Sequence, residues 1–417
     1  MTDRSASASP PPSPTVHVSI SATHSTPSFK EIIRRRHLPA LDGLRAVAVF
    51  TVIVGHANYP VAGIPSDLGV SAFFVLSGFL ITRLLIDERD IRGEVSLSRF
   101  YLRRTMRIFP AYYAFLLLSF LLDARHGQHW TPALLGSSVT YTVNYFNALH
   151  HHPSTSVAHA WSLAVEEQFY LLWPLLFIVL ARRGRRALIA GVSLLALAAA
   201  AWRSWLALVG HADVSYLYNA FDTRFDNLAI GCILALSVDH SLVSAVAERV
   251  GRRAWFPLVT LAFLLSSRLA LPQSYHYSAG FTVDAILLAV LITQLLQLCG
   301  TPLWSWLERP VTRYLGTISY PIYLYHAWGA SVGRHLPVPG PGGKFLAGVL
   351  ATIALASGSY YVVERPFLML KRRFASGAQP NAASATSPFD TSGVVCPIPG
   401  PFSASTSEGH SGHLLPG

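Results

Sequence analysis

Arg45 and His56 are the first residues in this chain whose types and spacing suit chemistry. They interrupt an apolar run, LDGLRAVAVFTVIVGH from Leu41 to His56, and lie eleven positions apart. At 3.6 residues per turn the two side chains share one stripe of a helix, about 16 Å apart along its axis. A neutral imidazole titrates near neutral pH and can serve as a general base. A guanidinium is a permanent cation shaped to hold carboxylates or phosphates. Three more stretches carry polar groups into apolar surroundings. FYLRRTMRIFPAYY, Phe100 to Tyr113, holds Arg103, Arg104 and Arg107, a cluster suited to phosphate recognition. WSLAVEEQFYLLWP, Trp161 to Pro174, sends Glu166 and Glu167 into an apolar run, where both cannot face lipid. LGTISYPIYLYHAW, Leu315 to Trp328, holds Ser319, Tyr320, Tyr323 and His326, the last two at i, i+3 on one helix face. Each stretch also has a plain reading: a snorkelling arginine, a histidine satisfied in the packing, arginines that only set topology.

The elements that must position these residues are membrane spans. The 417 residues are 52% hydrophobic and 13% charged, with a mean hydropathy of +0.40. Ordinary soluble domains are about 25% charged, so the composition is that of an all-α integral membrane protein. Hydropathy predicts about ten transmembrane helices, at 42–61, 68–86, 108–122, 162–181, 187–209, 226–240, 255–271, 281–299, 315–333 and 345–363. The charge of +11 points to topology rather than to nucleic acid, because 24 of the 32 Lys and Arg residues fall in or beside alternate gaps and six in the others. This bias puts both termini in the cytoplasm. Residues 1–33 and 374–417 are Ser-, Pro- and Gly-rich and read as disordered tails around a membrane domain spanning 34–373. The N-terminus has no signal-peptide pattern, and the three cysteines form no CxxC pair. The gap from about 123 to 160 carries His126, His129, His150 to His152 and His159. Without helical ligand spacing or accompanying cysteines, these histidines point to no metal site.

Taken together, the motifs resemble the membrane-bound acyltransferase 3 family, which includes O-antigen and exopolysaccharide O-acetyltransferases and macrolide acyltransferases. The resemblance runs from about Pro39 to Arg373. It rests on LDGLRA with Arg45 and His56, GVSAFFVLSGFLIT from Gly69 to Thr82, FYLRRTMRIFPAYY, WSLAVEEQFYLLWP, FDTRFDNLAIG from Phe221 to Gly231, LGTISYPIYLYH, and Glu364-Arg365-Pro366. Seven motifs in order make a specific match. It implies a ten-helix core and transfer of an acyl group, usually acetyl from acetyl-CoA, to a hydroxyl of a sugar or similar acceptor. The family's essential arginine and histidine map onto Arg45 and His56, and its arginine motif onto Arg103, Arg104 and Arg107. Many members carry a fused extracytoplasmic hydrolase-like domain. The short tail here matches the stand-alone form.

Direct transfer needs a base, for which His56 is the candidate, and a hold on the donor, for which Arg103, Arg104 and Arg107 are candidates beside Arg45. Glu166 or Glu167 is expected to orient His56 or to balance Arg45. Ser319, Tyr323 and His326 are candidate contacts for the acceptor or the thioester. No cofactor is expected to stay bound: acyl-CoA is a substrate, the acceptor is a carbohydrate or lipid-linked glycan, and the setting is the bacterial inner membrane. No G-x-S-x-G elbow is present, and neither Ser77 nor Ser162 has a base nearby in sequence, so an acyl-serine route is the lesser alternative. A multispan transporter or flippase of a polar lipid-linked substrate explains Arg45, His56 and Glu166 equally well but not the arginine cluster. A non-catalytic acyl-CoA sensor explains the arginines but not His56.

Overall fold

The computed structural model describes residues 28–35, 38–56 and 66–376. Among the described residues every regular element is a helix. In chain order these are α1 (Phe29–Arg34), α2 (Pro39–His56), α3 (Ser66–Arg92), α4 (Leu97–Arg125), α5 (Pro132–Val139), α6 (Val143–Leu149), α7 (Trp161–Ala181), α8 (Arg185–Leu208) and α9 (Val214–Asn219). There follow α10 (Phe225–Ser237), α11 (Ser241–Val250), α12 (Phe256–Ala270), the single turn α13 (Gln273–Tyr275), α14 (Phe281–Leu298), α15 (Pro310–Thr317), α16 (Ser319–His335), α17 (Gly340–Ser359) and α18 (Arg365–Ser376).

Seven of the described helices are long and apolar enough to cross a membrane, or eight if α10 and α11, which meet at 107°, count as one bent span. The ten-span reading therefore exceeds what helix length supports. Each expected span has a helix, but those at 226–240, 255–271 and 315–333 correspond to α10, α12 and α16, of only 13, 15 and 17 residues. The helices also overrun the apolar windows. α3 continues six residues past the expected end at 86 and α4 starts eleven before 108, because a helix follows backbone bonding while hydropathy registers only the part in the hydrocarbon. Large apolar side chains stay on the outside, among them Leu194, Leu197 and Leu171, as lipid contact requires.

The tail expected to end at residue 33 stops earlier. Ser28 caps α1 reciprocally with Glu31, and Phe29, Ile32 and Ile33 are buried on one face against α11 and α14. Lys30, Arg34 and Arg185 converge on the Asp239 carboxylate at 3.1, 3.3 and 2.6 Å. At the other boundary α18 runs to Ser376, three residues beyond the expected 373. The remaining tail residues, and with them the expected disorder and both chain ends, lie outside the described residues.

Close backbone approach fixes the helices around the site. A Cβ on Gly78 of α3 would strike the Leu228 carbonyl of α10, and one on Gly231 of α10 would strike the Val75 carbonyl of α3. Reciprocal glycines of this kind let membrane helices pack through dispersion without a hydrophobic driving force. Gly316, just ahead of α16, meets the Asp42 carbonyl in the first turn of α2. That contact sets the start of α16 beside the Arg45 end of α2, so the two helices run alongside each other toward His56 and His326.

Candidate functional site

The site residues fall into two groups at opposite ends of α2. At the Arg45 end the polar groups come from α2, α3, α4, α7 and the last span. Glu166 Oε1 accepts from Ser77 Oγ at 2.9 Å, and Glu166 Oε2 accepts from Tyr170 Oη at 3.1 Å. Tyr170 Oη also lies 2.9 Å from Ser77 Oγ, which closes a three-membered ring. The Arg104 guanidinium lies 4.6 Å from the centre of the Tyr170 ring, a cation–π contact. Arg45 lies within electrostatic reach of Arg107, Asp42, Tyr170 and Glu166, and Arg104 of Arg107, Glu167 and Glu166. Glu364, from the Glu364-Arg365-Pro366 motif, is buried within reach of Arg107 and Arg45. Arg45, Arg104 and Arg107 therefore share four carboxylates, Asp42, Glu166, Glu167 and Glu364, in one cluster, as intramembrane charges require.

Arg103 is turned elsewhere. Its Nη2 lies 2.7 Å from Glu88 Oε2 on α3, and that carboxylate is buried. Consecutive helical residues point about 100° apart, so Arg103 and Arg104 cannot serve one ligand from the same face. The expected alternatives for Glu166 are also separated: it holds Ser77 and Tyr170 within reach of Arg45 and Arg104, whereas the His56 ring bonds a backbone carbonyl. Ser77, which lacked a partner in sequence, has one in Glu166.

At the far end His56 is the last residue of α2, with Nδ1 2.9 Å from the Val52 carbonyl. Its ring packs edge-on against His326 of α16, centroids 4.9 Å apart. His326 in turn meets His159, 4.8 Å away, in the 3-10 turn Ala158–Ala160 ahead of α7. His159 Nε2 lies 3.0 Å from the Leu324 carbonyl, and His326 Nδ1 2.6 Å from the Tyr323 carbonyl. Tyr323 Oη donates to the His159 carbonyl at 2.7 Å and accepts from Ser162 Oγ at 2.7 Å. Ser319, expected beside Tyr323 and His326, is fully buried about 10 Å back along α16 toward the Arg45 end.

Sequence reading grouped His159 with the loop histidines. Its place two residues before WSLAVEEQ, whose tryptophan opens α7, is the signal that ties it to the site. Of the others, His150 stacks on Phe146, His151 pairs with Asp213 at 2.9 Å, and His152 Nδ1 bonds Asn219 Oδ1 at 2.9 Å. His151 and His152 both adopt left-handed backbone, φ 55° and 48°, an unfavourable choice for residues with a Cβ. That bend holds His152 within electrostatic reach of His56, and burial lowers the His152 pKa below the ordinary histidine value. The Asp213 carboxyl titrates below its usual range because the Ser215 backbone N–H donates to it. No group of three His, Cys, Asp or Glu among the described residues is arranged to hold a metal ion.

Behind the histidines lies a buried ion-pair frame. Arg203 on α8 donates all five N–H groups: Nε to the Ser278 carbonyl at 2.9 Å, Nη1 to the Thr223 carbonyl at 2.6 Å and Asp226 Oδ1 at 2.8 Å, Nη2 to Asp226 Oδ2 at 3.0 Å and Thr282 Oγ1 at 2.6 Å. Arg224, from the same FDTRFDNLAIG motif, sits 3.7 Å from the centre of the Phe281 ring and donates to Ser71.

A helical bundle that is apolar outside, with a charge cluster at one end of α2 and imidazoles at the other, is an integral membrane protein. The chain belongs to the membrane-bound acyltransferase 3 family, whose model, described as an acyltransferase domain, matches residues 38–361. It is similar to the peptidoglycan O-acetyltransferase OatA of Listeria monocytogenes, 30% identical over 70% of this chain and 49% of that protein. It is also similar to two proteins with provisional names. One is an O-acetyltransferase of Staphylococcus aureus strain COL, 30% identical over 82% of this chain and 59% of that protein. The other is the peptidoglycan O-acetyltransferase YrhL of Bacillus subtilis, 33% identical over 79% of this chain and 55% of that protein. The chain thus matches between about half and three-fifths of the length of these relatives. No solved structure matches it.

Proposed function

We propose that the protein is an O-acyltransferase that moves acetyl from acetyl-CoA to a hydroxyl of a cell-envelope glycan, with His56 as general base. The observation that carries this reading is the His56 ring. A carbonyl oxygen only accepts, so Nδ1 must be the protonated nitrogen, which leaves the Nε2 lone pair for a substrate proton. In the reaction Nε2 takes the proton of the acceptor hydroxyl as its oxygen bonds to the thioester carbon. The C–S bond then breaks, and the proton passes to the departing thiolate, giving an ester and CoA.

The donor side suits the Arg45 end. Arg104 and Arg107, with Arg45, offer guanidiniums for the CoA phosphates, while Arg103 stays with Glu88. The positive-inside bias supports a cytoplasmic position for this end, the side where acetyl-CoA is made, and we take the membrane to be a bacterial inner membrane. An extended pantetheine arm of about twelve bonds reaches on the order of 14 Å at backbone-like bond geometry, which matches the about 16 Å rise from Arg45 to His56. The names of the relatives make peptidoglycan the first acceptor to try.

The test is transfer of label from [acetyl-14C]acetyl-CoA to isolated peptidoglycan and other envelope glycans by membranes carrying the protein. Wild type is expected to label glycan. His56→Ala should lose at least a hundred-fold in rate at an unchanged level in the membrane, as removal of a general base does, and Ser77→Ala should lose less than ten-fold. Near-wild-type transfer by His56→Ala would remove the base. Abolished transfer in Ser77→Ala, with a labelled serine in wild type, would replace direct attack by an acyl-serine route.

A further inference from the structure

Each of the three packed imidazoles gives one ring nitrogen to a backbone carbonyl. His56 and His326 do so through Nδ1, and His159 through Nε2. Because carbonyls only accept, those nitrogens carry the ring protons, and every remaining nitrogen in the neutral cluster is a lone pair. This end of the site therefore accepts hydrogen bonds from its rings and donates none. His326 is the extreme member. The residue is 1% exposed, its ring lies between His56 and His159, and its Nε2 has no hydrogen-bond partner among the described residues. A buried polar atom without a partner is costly and calls for an explanation, and a bound ligand's donor is one.

We propose that His326 Nε2 is the second acceptor of the glycan site. It takes an O–H or N–H from the sugar position next to the hydroxyl that His56 deprotonates. This inference rests on the acyl-transfer reading above and adds the demand made on the acceptor: two neighbouring donors, as in a vicinal diol or a hydroxyl beside an acetamido group. The ring centroids lie 4.9 Å apart, a separation comparable to the width of one sugar ring. His159 backs His326 from the other side, and its carbonyl receives the Tyr323 hydroxyl, so the short Tyr323–His326 segment is braced before any substrate arrives. A lone hydroxyl would satisfy His56 and leave His326 unpaired, so the site selects against simple alcohols and water.

Two substitutions separate this role from a packing role, because they keep opposite halves of the ring. In His326→Asn the amide N–H stands where Nδ1–H was and can still reach the Tyr323 carbonyl, while the Nε2 acceptor is gone. In His326→Gln the side-chain oxygen stands near the Nε2 position, while the Nδ1–H brace is lost. Both variants and wild type are assayed with labelled acetyl-CoA and muramidase-solubilised peptidoglycan, varying each substrate in turn. The expected result is a roughly ten- to thirty-fold loss in kcat/KM for the glycan in His326→Asn. The acetyl-CoA KM should stay within two-fold, and His326→Gln should stay within about three-fold of wild type on both substrates. The reverse ranking would show that the ring serves as a brace and would overturn the proposal. Equal losses in the two variants, or none in either, would overturn it as well. Wild type that transfers no label to any glycan would refute the acyl-transfer reading itself, whereas active wild type with an active His326→Asn refutes this inference alone.

Discussion

Replacing Asp226 by asparagine tests whether the FDTRFDNLAIG motif is a frame rather than part of the chemistry. Asp226 and Arg203 are both fully buried, and their bidentate pair at 2.8 and 3.0 Å accounts for two of the five N–H bonds of the guanidinium. Asp226 Oδ2 accepts a further bond from Thr282 Oγ1 at 2.6 Å. An asparagine oriented to keep its oxygen at the Oδ2 position preserves the bonds from Nη2 and Thr282, but turns an NH2 toward Nη1. One bond becomes a donor–donor contact, and the charge that offset a buried guanidinium disappears. Breaking such a pair from one side costs about 3–5 kcal/mol. At about 2–4 °C per kcal/mol for large domains, the Tm in detergent should fall by roughly 6–20 °C. The assay is fluorescence-detected size exclusion after a heating series, with Asp213→Asn as control. That side chain is 45% exposed in its pair with His151, and its change should move Tm by no more than about 2 °C. Protein kept below its lowered Tm should transfer acetyl at the wild-type rate per folded molecule. A Tm within 2 °C of wild type, or lost transfer at unchanged Tm, would refute the frame.

Arg104→Ala should raise the apparent KM for acetyl-CoA roughly ten-fold or more with little change in kcat, as loss of a charge-assisted phosphate contact does. Arg103→Ala should leave that KM within two-fold and lower Tm instead, since it strands the buried Glu88; matching kinetics in the two variants would undo their separation. His152 is held neutral by burial, with its pKa below the free value of about 6.5, so a loosened loop binds more protons than the docked one once pH falls below that value. Docking of the 123–160 loop should weaken from about pH 6.5 downward, seen as faster limited proteolysis there, and His152→Asn should remove that dependence; a variant with the wild-type pH profile would count against it.

The broad plan was legible because apolar runs in a membrane protein leave few places for polar groups. Arg45, Arg104, Arg107 and Glu166 stand out against their neighbours in sequence, and the fold collects them. Their grouping follows from helix periodicity, and so does the departure of Arg103, one residue and about 100° from Arg104. The partner it finds, Glu88, was not readable, since it lies two residues past the window that hydropathy assigns to α3. His159 was illegible for another reason: loop positions have no period, and only the tertiary fold brings the turn before α7 to α16. The window expected at 255–271 is met by α12 to within a residue at each end, whereas that at 226–240 ends three residues early, where α10 bends by 107° into α11.

The separation of the two groups along α2 has a chemical logic of its own. A general base must lose its proton readily after taking it, and permanent guanidiniums packed against an imidazole would hold it in one protonation state. Phosphates need those guanidiniums. On the proposed reading, Arg45 and His56 lie about three turns apart on one helix, with Arg104 and Arg107 added from α4. This would let the site take a donor with a charged head at one end and its reactive tip at the other. The ring of Ser77, Glu166 and Tyr170 lies at the arginine end and supplies the negative charge there. His56 is oriented by a carbonyl instead of a carboxylate, which fixes its tautomer while adding no full charge. A carboxylate on Nδ1 would strengthen the base, and it would also favour a resting imidazolium with no lone pair to offer. On the proposed reading, the carbonyl brace orients the ring and leaves Nε2 facing the acceptor hydroxyl.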